Sequence, residues 1–157
     1  VMGEGGGAVV LQRVQDADRQ HRATHAVIRG TAMTQDGHSN GLTAPNKHAQ
    51  LAVLRQALDD AGLAPGDIDF VEAHGSGTSL GDAIEIGALT EVFGDRPAQR
   101  PLHVGAVKTN VGHLLTAAGM AGLVKTVLAL RAGELPGNLH LDTPNTMVSL
   151  DGPVRPL

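Results

Sequence analysis

Four side chains suited to acid, base or charge-stabilising work stand in two short stretches of this chain. His74 opens His74-Gly75-Ser76-Gly77-Thr78, and Glu85 follows it by eleven residues. Lys108 and His113 bracket Lys108-Thr109-Asn110-Val111-Gly112-His113. Glycines at 75, 77 and 81 let the backbone come close to a ligand, and Ser76, Thr78 and Ser79 offer hydroxyls beside it. Two imidazoles, an ammonium and a carboxylate can hold and stabilise charge, but the chain contains no cysteine to act as a nucleophile. Ser76 does not replace it, because His74 rather than glycine stands two residues earlier, unlike a nucleophile elbow. The glycine spacing at 75–81 is not the dinucleotide fingerprint, and neither a Walker loop nor HExxH occurs. No metal site is expected. His21, His25, His38, His48, His103 and His140 read as surface residues or satisfied core donors.

These groups need a scaffold. Residues 8–14 (Ala-Val-Val-Leu-Gln-Arg-Val) and 25–33 read as strands, followed by a turn-rich loop over 35–46. A helix is expected from Asn46 as N-cap, with Leu51, Leu54, Ala57, Leu58 and Ala61 on one face and Gly62 as its end. A short buried strand at 69–73 then delivers His74. Ser79 or Asp82 caps a helix to about Val92, with Glu85 in its first turn. A strand at 102–107 delivers Lys108 and Asn110, and a long apolar helix at 114–132 begins beside His113 and is buried on most sides. Gly119 and Gly122 in that helix predict close approach to a neighbour. The tail from Pro136, with four of the eight prolines, reads as extended loop. Strands alternating with helices indicate a layered α/β domain with a largely parallel sheet, whose ligands sit beyond the carboxyl ends of the strands. Both histidine stretches lie there.

Composition agrees with one globular domain. Apolar residues make up 41% of 157, so a core can form. With two Phe and neither Tyr nor Trp, that core rests on Ala, Val, Leu and Ile. A net charge of −4 without runs of like charge leaves no footprint for nucleic acid or an anionic membrane. Thr116, Lys125 and Thr126 interrupt the longest apolar stretch, so no membrane span is expected. The absence of cysteine and of a signal-type start makes cytoplasmic the default location.

Taken together, the motifs resemble the C-terminal half of a beta-ketoacyl synthase domain, most closely the ketosynthase of a modular type I polyketide synthase. The matching segments are Gly3-Glu4-Gly5, the loop from Gln35-Asp36-Gly37 through Asn40–Asn46, Val71–Thr78, Leu80–Glu85, Lys108–His113 and Pro136-Gly137-Asn138-Leu139. They run in family order along nearly the whole chain, and Asn40–Asn46 favours polyketide over fatty acid synthases. Ser76 stands where the family usually has Thr, and Ala83 where it has Pro. The first change keeps the hydroxyl, and the second loosens a helix start only slightly.

The resemblance implies a thiolase-like fold of αβαβα layers, of which residues 1–157 are the C-terminal half. The N-terminal half, with the nucleophilic cysteine, is expected outside these residues, as is a glycine-phenylalanine-glycine loop after Arg155-Pro156-Leu157. It further implies a decarboxylative Claisen condensation. Malonyl or methylmalonyl on an acyl carrier protein loses carbon dioxide, and the enolate attacks an acyl-cysteine. His74 and His113 then resemble the N–H donors to the thioester oxygen. Lys108 resembles the family's structural lysine, paired with Glu85, and Ser76 and Thr78 resemble the hydroxyls that bind the phosphopantetheine arm. The chain itself is expected to bind no cofactor, to be inactive alone, and to have as partners the cysteine-bearing half, the carrier protein and, in the whole domain, a second copy. A non-catalytic scaffold or carrier-docking fragment is the alternative, which the retained polar residues disfavour. A thiolase-like relative acting on coenzyme A thioesters fits the 35–46 loop poorly.

Overall fold

The computed structural model describes residues 1–37, 45–143, 145–148 and 152–157. Most of the 35–46 loop, including Asn40–Ala44, therefore lies outside the described residues.

At the centre is a parallel sheet of three strands, ordered β1 (Phe70–Glu72), β2 (Leu102–Gly105) and β3 (Val154–Pro156). β2 is its middle strand, and its Leu102 and Val104 are buried. β3 is a correction to the extended tail. Proline is tolerated on an edge strand because its missing N–H faces no ladder, and Pro156 pairs with Val104 there.

On one face of this sheet α3 (Ser79–Phe93) packs against β3, and α2 (Lys47–Ala61) packs on α3 and adds Leu58 to the core. α2 begins as its sequence predicts, with the Asn46 side chain accepting the N–H of His48 at 2.9 Å. It ends at Gly62 in the left-handed region. α3 is capped one residue before Ser79 and four before Asp82, the two caps expected. Thr78 is its N-cap, and its hydroxyl accepts the N–H of Gly81 at 3.2 Å. Glu85 therefore lies in the second turn. Leu58 of α2 and Leu89 and Phe93 of α3 close on Leu102, Val104 and Val154 to form the core. One of the two phenylalanines thus sits at its centre.

The two N-terminal strands do not form. Residues 8–13 carry no regular structure and lead into a short helix, α1 (Val14–Arg19), tied by Asp16 to Arg13 and Arg19. Residues 25–33 run along α2, where the N–H of Thr31 donates to Asp60 at 2.8 Å and Thr34 to the carbonyl of Ala49 at 3.1 Å. A strand needs a ladder. Among the described residues no neighbouring strand offers one, and Val9, Val10, Leu11, Val27 and Ile28 are 44% to 91% exposed.

The long C-terminal helix also differs from its expected form. The chain makes a short helix, α4 (Lys108–Val111), passes His113, takes one 3-10 turn at Leu115–Ala117, and only then enters α5 (Ala118–Ala132). In α5 only Gly122 and Ala129 are buried, while Val124, Leu128 and Leu130 are 42% to 67% exposed. One stripe of the helix meets the sheet, and the rest faces outward. By length and composition alone Leu115–Ala132 could cross a membrane, but Lys125 turns inward to pair with Glu72 of β1. That pairing marks α5 as a helix of its own domain. Gly122 makes the predicted close approach, since a Cβ there would lie 3.1 Å from Cγ of Glu72, whereas Gly119 faces open space.

Candidate functional site

β1 and β2 end side by side, with Glu72 opposite Gly105 in the register. The segments leaving those ends carry His74 and Lys108, as a parallel sheet requires. Gly75 lets them approach. It has φ +47, and a Cβ on it would lie 2.6 Å from Cβ of Ala106 in the turn after β2. Any other residue would clash there and sit in a conformation that L side chains disfavour.

His74 is pinned by charge on both sides of its backbone. The Glu85 carboxylate accepts the N–H of His74 at 2.7 Å and that of Gly75 at 2.9 Å. The Lys108 ammonium donates to the carbonyl of His74 and lies 3.4 Å from Nδ1 of its ring. Glu85 and Lys108 make no ion pair with each other, which corrects the expected pairing. They act on opposite ends of the same stretch of backbone. An ammonium has only donors, so Nδ1 accepts and the ring proton resides on Nε2.

His113 reaches the same tautomer by another route. It lies in a bridge to Met2 rather than on a helix, its N–H donating to Val1 and its carbonyl accepting from Gly3. The next residues force Leu115 into the left-handed region at φ 54, an uncommon conformation for leucine. In that conformation the Leu115 N–H donates to Nδ1 of His113 at 3.1 Å. The proton is again left on Nε2. The two rings stand edge to face, with centroids 5.4 Å apart and planes at 81°.

The charge state follows. The His74 ring has an exposed edge but is crowded by Lys108 and His113. Burial first, and the Lys108 ammonium next, hold its pKa below the ordinary histidine range, against the pull of Glu85. At neutral pH it is a neutral N–H donor. Two imidazoles presenting Nε2–H can stabilise negative charge that develops on an oxygen between them.

Beyond His74 the loop is built from its own side chains. Ser76 and Thr78 share a hydrogen bond of 3.1 Å between hydroxyls, while Thr78 also caps α3. Asp82 accepts the N–H of Gly77 at 3.1 Å. Burial pushes its carboxyl above the usual carboxylate range, the Gly77 hydrogen bond opposing.

Three polar residues that support the site escaped the sequence reading. Glu72 accepts the N–H of Val107 and pairs with Lys125. Asn138, noted only within a matching segment, extends β2 as a missing strand would. Its side chain accepts from Ala106 N–H at 2.7 Å and donates to the carbonyl of Val104 at 3.2 Å. In the sequence Lys125 reads only as a break in an apolar run. A charge inside an otherwise apolar helix was the signal available.

Residues 25–142 match the family model for the beta-ketoacyl synthase C-terminal domain. The chain is 55% identical over 94% of its length to polyketide synthase GfsE of Streptomyces halstedii, of which it covers 4%. It is 52% identical over 96% of its length to erythronolide synthase EryA3 of Saccharopolyspora erythraea, of which it covers 5%. Among solved structures, the oxazolomycin ketosynthase domain OzmH KS7 of Streptomyces albus JA3453 superposes with a TM-score of 0.86 at 39% identity, over 98% of this chain and 29% of that one. The ketosynthase from module 6 of the bacillaene synthase of Bacillus subtilis 168 superposes with a TM-score of 0.86 at 34% identity, over 93% and 26%.

Proposed function

Because this chain belongs to the beta-ketoacyl synthase family, as the C-terminal domain of a polyketide synthase ketosynthase, we propose that it supplies the decarboxylating half of a condensing active site. Its α/β architecture is the thiolase-like fold of that family. The chain spans only a small fraction of the synthases it matches, and the remainder of the reaction belongs to the larger protein.

In this reading an acyl chain sits on a cysteine of the N-terminal half, outside residues 1–157. A malonyl-type thioester on an acyl carrier protein enters beside His74 and His113. Its carbon–carboxylate bond breaks, carbon dioxide leaves, and the electron pair moves into the thioester carbonyl as an enolate. The Nε2–H groups of His74 and His113 stabilise that oxygen. The enolate carbon then attacks the acyl-cysteine carbonyl, the thiolate leaves, and a beta-ketoacyl thioester results. Lys108 and Glu85 hold His74 in place, and burial and Lys108 keep it neutral against the pull of Glu85. Ser76 and Thr78 bind the phosphopantetheine arm as part of the incoming substrate. The partners are the cysteine-bearing half, the carrier protein and a second copy of the whole domain, and residues 1–157 by themselves do not condense.

One observation carries the proposal. His74 and His113, thirty-nine residues apart in the sequence, come within 5.4 Å as a ring pair with each Nδ1 engaged by a donor. A scaffold or carrier-docking fragment would not need two imidazoles in matched tautomers. The test is the complete ketosynthase with His113→Ala, assayed for release of carbon dioxide from a malonyl thioester. A fall of roughly 10²-fold or more is expected from the loss of one oxyanion donor. Release at the full rate would remove His113 from the mechanism.

A further inference from the structure

Glu72 and Lys125 are a charged pair inside the domain that no step above uses. Glu72 Oε2 and Lys125 Nζ lie 2.8 Å apart, with side chains 9% and 11% exposed. Among the described residues neither atom has another hydrogen-bonding partner. The second carboxylate oxygen, Oε1, accepts the backbone N–H of Val107. Val107 is the N-cap of α4, so the next residue is Lys108. Glu72 itself ends β1, two residues before His74. One carboxylate thus joins the strand that delivers His74, the turn that delivers Lys108, and α5.

The fold keeps room for this pair. A Cβ on Gly122 would press on Cγ of Glu72, and one on Gly105 would lie 2.8 Å from Nζ of Lys125 and from the Phe70 ring. Yet two charges taken out of water are costly, and well-packed apolar residues of similar volume are often as stable or more so. Stability alone does not account for the pair. An apolar pair could not, however, accept the N–H of Val107.

Resting on the decarboxylating role assigned to His74 and His113, we propose that Glu72, held in place by Lys125, is a positioning residue for that reaction. It fixes the Val107–Lys108 turn against β1, so that the Lys108 ammonium stays on the carbonyl and ring of His74. It touches no substrate and acts through Lys108.

The test uses the complete ketosynthase and reads its two half-reactions separately: acylation of the cysteine by mass spectrometry, and turnover of a malonyl thioester to carbon dioxide. Glu72→Gln/Lys125→Met keeps an acceptor for Val107 and removes both charges. Glu72→Leu/Lys125→Met removes the charges and the acceptor. Both are expected to acylate normally. Decarboxylation kcat should fall on the order of 10²-fold in the Leu form, since displacements of about 1 Å have that effect, with little change in KM. The Gln form should recover most of that loss. Val107→Pro gives an independent check without touching the pair. It deletes the donor at a residue whose φ of −62° suits proline, and it should reproduce the loss.

Equal decarboxylation by the Gln and Leu forms, or full activity in Val107→Pro, overturns the proposal. So does a Leu form that loses acylation in step with decarboxylation, which would mean general damage. If the unmodified enzyme acylates but is indifferent to His113→Ala, the functional reading itself fails and this inference with it.

Discussion

Gly75 and Gly77 offer a controlled comparison, because both have positive φ and only one is crowded. A Cβ on Gly77, at φ +73, meets nothing within 4 Å. Gly77→Ala therefore incurs only the cost of a left-handed alanine, about 1–2 kcal/mol. A Cβ on Gly75 meets Cβ of Ala106 at 2.6 Å. Carbon atoms pack at about 3.5–4.0 Å, so one of the two turns must retreat by about 1 Å. That overlap adds about 1–3 kcal/mol, the usual range for overpacking. Gly75→Ala should therefore lose about 2–5 kcal/mol in total. The retreat separates His74 from the turn that carries Lys108, and misplacement by about 1 Å can lower a rate by about 10²-fold. The assay is decarboxylation of a malonyl thioester by the two variants of the complete ketosynthase, with urea unfolding of each. Gly75→Ala should be much the slower and the less stable, and Gly77→Ala should lose less than about tenfold in rate. Equal effects at the two positions would refute the claim that contact between the two turns, rather than backbone freedom alone, sets this site.

Removing the Lys108 ammonium should raise the His74 pKa, because that charge is the second largest cause of its depression after burial; a ring titration by NMR in Lys108→Met that stays put or moves down would contradict this. A histidine whose folded pKa lies below its unfolded value binds fewer protons when folded, so its contribution to stability is whole above about pH 6.5 and is lost as pH falls through the folded value. Urea midpoints should accordingly decline on acidification, and less so in His74→Gln. Lys125→Met alone leaves the Glu72 carboxylate buried without its partner and should destabilise by about 3–5 kcal/mol, which Glu72→Gln in the same chain should largely restore; a neutral single variant would refute the pairing. Asn46→Ala removes the helix cap on His48 N–H and should cost about 1 kcal/mol by thermal unfolding. Residues 1–157 expressed alone should self-associate and bind a hydrophobic dye, because Val10, Leu11, Ile28, Leu128 and Leu130 are each more than half exposed; a monodisperse monomer by light scattering would contradict that.

What the sequence made legible is what local chemistry decides. Asn46 and Gly62 bounded α2 because a side-chain cap and a left-handed glycine act within a few residues. His74 and Lys108 were found at strand ends because short β-branched runs precede them, and the family motifs named the roles their neighbours were expected to play. What was missed depends on partners far along the chain. Residues 8–14 and 25–33 have strand composition, but composition cannot supply a ladder. β3 was hidden because its prolines spoke louder than the single open edge of β2. The Lys108–Glu85 pair was implied by the family resemblance, whereas the two charges address opposite ends of the His74 backbone. Glu72 and Lys125 could not be paired by reading, since fifty-three residues separate them and each alone passes for a surface charge.

The clamp around His74 has a consequence for motion. Glycines at 75 and 77 make the loop easy to bend, and in such a loop a peptide plane can rotate at little steric cost. Here the plane between residues 74 and 75 has its carbonyl on an ammonium and its N–H on a carboxylate. Turning it over would set oxygen against Glu85 and hydrogen against Lys108, two repulsions in place of two attractions. The loop therefore takes its freedom of shape from glycine and its single orientation from charge. A catalytic imidazole can thus ride on a flexible segment without wandering, provided that both charges remain where the two helices put them.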